Sequence, residues 1–132
     1  MREGAVPSDR TLDSPSALRI ARAFAPAKWH GNRAHYFYAR TKLRTDPLYP
    51  GVVDALRGTT ASMLDLGCGI GLLAHALRDA GLAIPYRGVD NDARKIDSAR
   101  RACGNARLED VSFECVDLAA VGVPGHAGSV AI

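Results

Sequence analysis

From residue 59 onward the apolar positions alternate between short strand-like runs and stretches of helical period. SMLDL at 62–66 is a run of strand-forming residues. LLAHALR at 72–78 changes period, with Leu73, Ala76, Leu77 and Ala80 on one helical face. YRGV at 86–89 reads as a second strand, and DARKIDSARRAC at 92–103 as a helix with Ile96, Ala99 and Cys103 inward. VSFECV at 111–116 is a third strand, and GSVAI at 128–132 the start of a fourth. Strands alternating with helices predict an α/β domain built on a parallel sheet.

Upstream the pattern is different. Residues 1–15 are polar, hold two prolines and are expected to be flexible. SALRIARAFA at 16–25 predicts a short helix closed by Pro26. NRAHYFYARTKLR at 32–44 predicts another, with Asn32 as its N-cap. The Asp46-Pro47-Leu48-Tyr49-Pro50 stretch breaks it, and 52–56 suggests a last turn of helix ended near Gly58. The predicted division is therefore a loose terminus at 1–15, a helical segment at 16–58 and an α/β domain at 59–132.

Composition narrows the class. A chain of 132 residues, 47% of them hydrophobic, suffices for one small domain with a real core. It has neither an apolar run of bilayer length nor the apolar stretch of a secretory signal. Cys68, Cys103 and Cys115 are odd in number and not at metal-ligand spacing, so neither a disulfide framework nor a metal site is predicted. A cytoplasmic protein with reduced thiols is the expectation. The net charge of +3 is uneven: residues 1–60 carry ten Lys/Arg against five Asp/Glu, and residues 61–132 seven against nine. A basic leading segment can meet an anionic partner, although a solvated helix face is the commoner explanation.

The candidate chemistry centres on LDLGCGIG at 64–71. Glycine inside a regular element costs about 0.5–1 kcal/mol relative to alanine. Gly67, Gly69 and Gly71 at alternate positions therefore mark a sharp turn that something approaches closely. Strand, glycine turn and helix together form the nucleotide-binding opening of a doubly wound fold. The dinucleotide fingerprint needs a small residue at its sixth position, and counting from Gly67 that position is Leu72. No lysine follows the glycines, so the phosphate loop of nucleoside triphosphatases is absent as well.

Asp65 followed by the three alternating glycines resembles the first motif of class I S-adenosylmethionine-dependent methyltransferases. Gly88-Val89-Asp90-Asn91-Asp92 resembles that family's second motif, and Cys115-Val116-Asp117-Leu118 its third, each after a predicted strand. The resemblance covers about residues 35–132. It implies a Rossmann-like sheet with N-terminal helices, S-adenosyl-L-methionine as cofactor, and methyl transfer to a small-molecule acceptor rather than nucleic acid. The implied cofactor site consists of Asp65, Gly67, Cys68, Gly69, Gly71, Asp90, Asn91, Asp117 and Leu118. Within it Asp65 would lie near the cofactor ammonium, Asp90 on the ribose hydroxyls and Asp117 on the adenine amino group.

Residues 38–47 resemble a helical cap over the cofactor, in which Lys42 or Arg40 would meet the cofactor carboxylate. His30 and His35 are candidate bases, more simply read as surface or packing residues, and the catalytic group is left unassigned. The sheet is expected to be incomplete, cut within its fourth strand, with a bare edge that invites self-association. Two rivals stand beside this reading. One is a nicotinamide-dependent oxidoreductase, against which Leu72 argues. The other is an inactive methyltransferase-like fragment that binds through its basic helices.

Overall fold

The computed structural model describes residues 11–28, 31–117 and 129–131. The chain divides into two compact units, Met1–Arg57 and Gly58–Ile132.

The first unit is helical: α1 (Ser14–Arg22), α2 (Ala34–Thr45) and α3 (Leu48–Leu56). α1 starts two residues earlier than the sequence suggests. The Asp13 carboxylate accepts from the Ser16 amide at 2.8 Å, and Pro15 sits in the first turn, where its missing N–H is not needed. Asn32 does not cap α2 as expected: the N-cap is Arg33, while Asn32 Oδ1 accepts from the Ala34 amide at 2.8 Å. α3 also begins early, at Leu48 rather than 52. The expected break does fall at Asp46-Pro47, where α2 ends, but Pro50 lies in the first turn of α3, where its missing N–H is not needed, so the next helix opens inside the stretch. α1 packs on α2, with Ala17, Ile20, Ala21, Ala39 and Leu43 buried.

The second unit is a parallel sheet of four described strands in the order β3-β2-β1-β4, the doubly wound arrangement. Its elements are β1 (Ser62–Leu66), α4 (Leu72–Asp79), β2 (Tyr86–Asp90), α5 (Ala93–Ala106), β3 (Val111–Cys115) and β4 (Ser129–Ala131). Every strand and helix read from the sequence in this unit is present, with ends moved by up to three residues.

Register fixes which side chains share a face. Met63 pairs with Tyr86 and Tyr86 with Val111, while Asp65 pairs with Gly88 and Gly88 with Phe113. Side chains alternate along a strand, so these six positions form one face. α5 packs on β2 and β3. Ile96, Ser98, Ala99 and Ala102 are its buried residues. Cys103, expected inward, is only half-buried, because the buried stripe steps through 96, 99 and 102 and leaves 103 at its edge. All of Leu72 to Leu77 is buried, so α4 is covered on more than the single face its periodicity suggested.

Two arginines fasten the unit. Arg78 Nη1 donates to the Leu82 carbonyl at 2.8 Å and Nη2 to that of Glu109 at 2.9 Å, tying the end of α4 to the turn before β3. Arg100 Nη2 donates to the Phe113 carbonyl at 2.8 Å and joins α5 to β3.

Candidate functional site

The loop between β1 and α4 is held from below by the end of β2. The amides of Gly67 and Cys68 both donate to the Val89 carbonyl, at 2.8 and 2.9 Å. Gly69 N donates to Asp90 Oδ2 at 2.9 Å, and Gly71 N to the Cys68 carbonyl at 3.1 Å. Gly67, Gly69 and Gly71 have φ of 74°, 60° and 83°, the left-handed region that penalises any side chain.

The three glycines nevertheless have different work. A Cβ on Gly71 would lie 2.5 Å from Phe113 Cζ, so this glycine is required by packing. A Cβ on Gly67 or Gly69 would meet no described atom within 4 Å. Their bare backbone faces open space, as a ligand that presses on the chain requires. Four amides of the loop already have protein acceptors. They are not free to cradle a diphosphate, which agrees with the missing dinucleotide glycine.

Two carboxylates stand around this loop. Asp65, at the end of β1, is buried and accepts a hydrogen bond from the Tyr86 hydroxyl. Burial, opposed by that hydrogen bond and aided by the charge of Asp90, raises its pKa to about 6. Asp90, at the end of β2, is buried too; besides Gly69 N it accepts from the Asp92 amide at 2.9 Å through Oδ1. Asp90 does not cap α5, because Asp92 does so by accepting from Arg94 N and Lys95 N. Neither Asp65 nor Asp90 has an ion-pair partner among the described residues. For Asp65 burial without a counter-charge outweighs its one hydrogen bond, and a cationic ligand would relieve that cost.

The other sequence-predicted residues fall as follows. Asn91 is exposed at the mouth of the same strand end. Asp117 is exposed two residues past β3, and β3 is stitched to Asp90 by Val116 N donating to the Asp90 carbonyl at 2.9 Å. The Cys68 thiol lies against Gly88, where a Cβ would come within 2.8 Å of Sγ. Burial, with Asp65 and Asp90 nearby, pushes it up to about 12, so it is a packing residue rather than a nucleophile. Leu118 and His30 lie outside the described residues. Lys42 belongs to the helical unit, where its ammonium meets Asp46 Oδ2 at 2.9 Å, and His35 lies on α2. The sequence reading missed Tyr86 as the partner of Asp65 and Phe113 as the floor beneath Gly71 and Gly88. Among the described residues no His, Cys, Asp or Glu cluster could hold a metal, and no helix is long and apolar enough to cross a membrane. A cavity of about 330 Å³ opens at the amino ends of the strands, lined by Ser62, Tyr86, Arg87, Asp110 and Ser112 among others. It contains none of the predicted site residues.

Buried groups make stability depend on pH in two opposing ways. Burial of His75 in α4 lowers its pKa from 6.5 to about 4. Between those values the unfolded chain takes up a proton that the native state refuses, so stability falls as pH falls, by about 3 kcal/mol over the window. Asp65 is raised from 3.8 to about 6, so the native state holds the extra proton there. Its contribution is present at low pH and is lost as pH rises through about 6, again by about 3 kcal/mol. The two act in opposite directions. Between pH 7 and pH 4, urea midpoints should therefore fall with falling pH in Asp65→Asn and rise in His75→Leu, with the parent between the two. Parallel profiles for all three would contradict the assignment.

Comparison with known proteins identifies the family. A family model described as a methyltransferase domain matches residues 63–132, which includes the glycine loop, both buried carboxylates and all the described strands but the first residue of β1. No curated protein matches. Among solved structures, YcgJ of Bacillus subtilis is 19% identical with a TM-score of 0.49, over 58% of this chain and 32% of that one. The CcbJ methyltransferase of Streptomyces caelestis is 23% identical with a TM-score of 0.44, over 57% and 30%. The Trypanosoma brucei PRMT1 enzyme–prozyme complex with AdoHcy is 27% identical with a TM-score of 0.45, over 55% and 22%. The chain thus spans about a third or less of the length of these structures. Because the family's model matches more than half of the chain, the chain belongs to the methyltransferase domain family.

Proposed function

We propose that the glycine loop binds S-adenosylmethionine and that the domain serves methyl transfer to a small-molecule acceptor. One observation carries this reading. Asp65 and Asp90 are buried, lack ion-pair partners among the described residues, and flank a loop with open backbone at Gly67 and Gly69. A ligand with a cationic group and vicinal hydroxyls suits that pair.

When bound, the cofactor supplies an activated methyl group on a sulfonium. The chain's own residues bind and orient it. Asp65 faces the ammonium, and Asp90 accepts from the ribose hydroxyls with the lone pairs left over from Gly69 N and Asp92 N. Charge-assisted bonds of this kind are short and strong. Asp117 accepts from the adenine amino group, and Asn91 lies beside the ribose. Proximity and orientation supply most of the acceleration in such a displacement. Lys42, whose ammonium meets Asp46 in the helical unit, keeps the part of meeting the cofactor carboxylate, and unchanged cofactor affinity in Lys42→Ala would remove it.

The nicotinamide alternative is disfavoured by the engaged loop amides. Parallel calorimetric titrations of the folded chain with S-adenosylhomocysteine and NADH test the choice. Saturable binding of the first alone is expected. Binding of NADH, or of neither, would overturn the proposal.

A further inference from the structure

Tyr86 is 3% exposed and starts β2, two residues before Gly88 on the same face. In register it opposes Met63, not Asp65. Its ring therefore reaches diagonally across the strand pair, a distance aromatic side chains can span. Phe113 supports the ring from β3, with centroids 5.7 Å apart. Gly88 lies in the intervening row, and a Cβ there would come within 2.9 Å of Phe113 Cδ1. The hydroxyl at the end of this reach donates to Asp65 Oδ2.

From this packing we infer that Tyr86 is a positioning residue whose hydroxyl aims the Asp65 carboxylate at the glycine loop as the acceptor for a cationic ligand. The inference rests on the cofactor reading for the identity of that ligand, but not for the hydrogen bond itself. A buried carboxylate with no donor would turn freely and hold its proton at higher pH. The Tyr86 hydrogen bond opposes both tendencies, and it is what lowers the Asp65 pKa against burial and the Asp90 charge. The titratable groups acting on Asp65 are Tyr86 and Asp90 on β2, and Asp65 in turn opposes ionisation of the Cys68 thiol in the loop. Tyr86 touches neither reacting atoms nor methyl acceptor in this account; it acts through Asp65.

The test is Tyr86→Phe, which keeps the ring and removes only the donor. Carbon-13 carboxyl resonances, followed against pH without ligand, read Asp65 directly. Its inflection should move up by about one pH unit in the variant. Affinity for S-adenosylhomocysteine should then fall several-fold more at pH 6 than at pH 8, a pH-dependent loss that disturbed packing alone would not give. An unmoved inflection overturns the inference. A moved inflection with no binding by either protein supports the positioning role and overturns the cofactor reading instead. Should the variant not fold, the wild-type protein decides: a downfield Tyr86 hydroxyl proton signal that Asp65→Ala abolishes supports the bond, and its absence refutes it.

Discussion

Gly71→Ala is expected to destabilise the α/β unit by about 2–5 kcal/mol, the largest stability loss of any single methyl in the loop. Two costs combine. The backbone at φ 83° penalises a side chain by about 1–2 kcal/mol. The new methyl would also sit 2.5 Å from Phe113 Cζ and 2.6 Å from Cε1. Overpacking of that kind costs about 1–3 kcal/mol. Phe113 has little room to yield, since it also closes on Gly88 and contacts the Tyr86 ring. Gly69→Ala shares the backbone strain, with φ 60°, but meets open space, so it should cost only about 1–2 kcal/mol. Denaturant midpoints for the two variants measure the difference. Equal losses would mean that Phe113 does not form the floor of the loop.

Asp90→Ala is expected to weaken S-adenosylhomocysteine binding by about 100-fold or more, since hydrogen bonds to a charged group contribute about 1.5–3 kcal/mol each. The structure adds a complication. The same carboxylate anchors Gly69 N and Asp92 N, so the variant loosens the loop as well as removing the ribose acceptor. An analogue of S-adenosylhomocysteine lacking the ribose 2′-hydroxyl separates the two effects. It should bind the wild-type chain more weakly than the parent ligand, by about ten-fold or more, and the difference should vanish in Asp90→Ala. A penalty that persists in the variant would mean that Asp90 serves only the loop.

Much of this site was legible in the sequence because its determinants are local. The turn after β1 is written in the three glycines, and the strand ends in Leu66 and Asp90. The differences among the glycines were not legible. Nothing in LDLGCGIG says that Gly71 faces an aromatic ring while Gly67 and Gly69 face open space. That distinction depends on Phe113, more than forty residues away and placed by the β2–β3 register. The Tyr86–Asp65 bond was hidden for the same reason, because a diagonal contact requires knowing that Asp65 opposes Gly88. In the helical segment the sequence placed the break after α2 correctly but put the start of α3 beyond Pro50. Proline stops a helix only where an N–H is needed, and in the first turn it is not. Asp90 illustrates a subtler limit: its position suggested a ligand group, whereas its two backbone partners reveal a structural role alongside.

The central claim is that the ligand lies on the glycine loop at the carboxyl ends of β1 and β2. Backbone amide NMR shifts during titration with S-adenosylhomocysteine test it most directly. The account predicts saturable changes concentrated at residues 65–71, 90–92 and 117. Saturable binding with changes confined to the amino ends of the strands, around Ser62, Arg87 and Ser112, would contradict it.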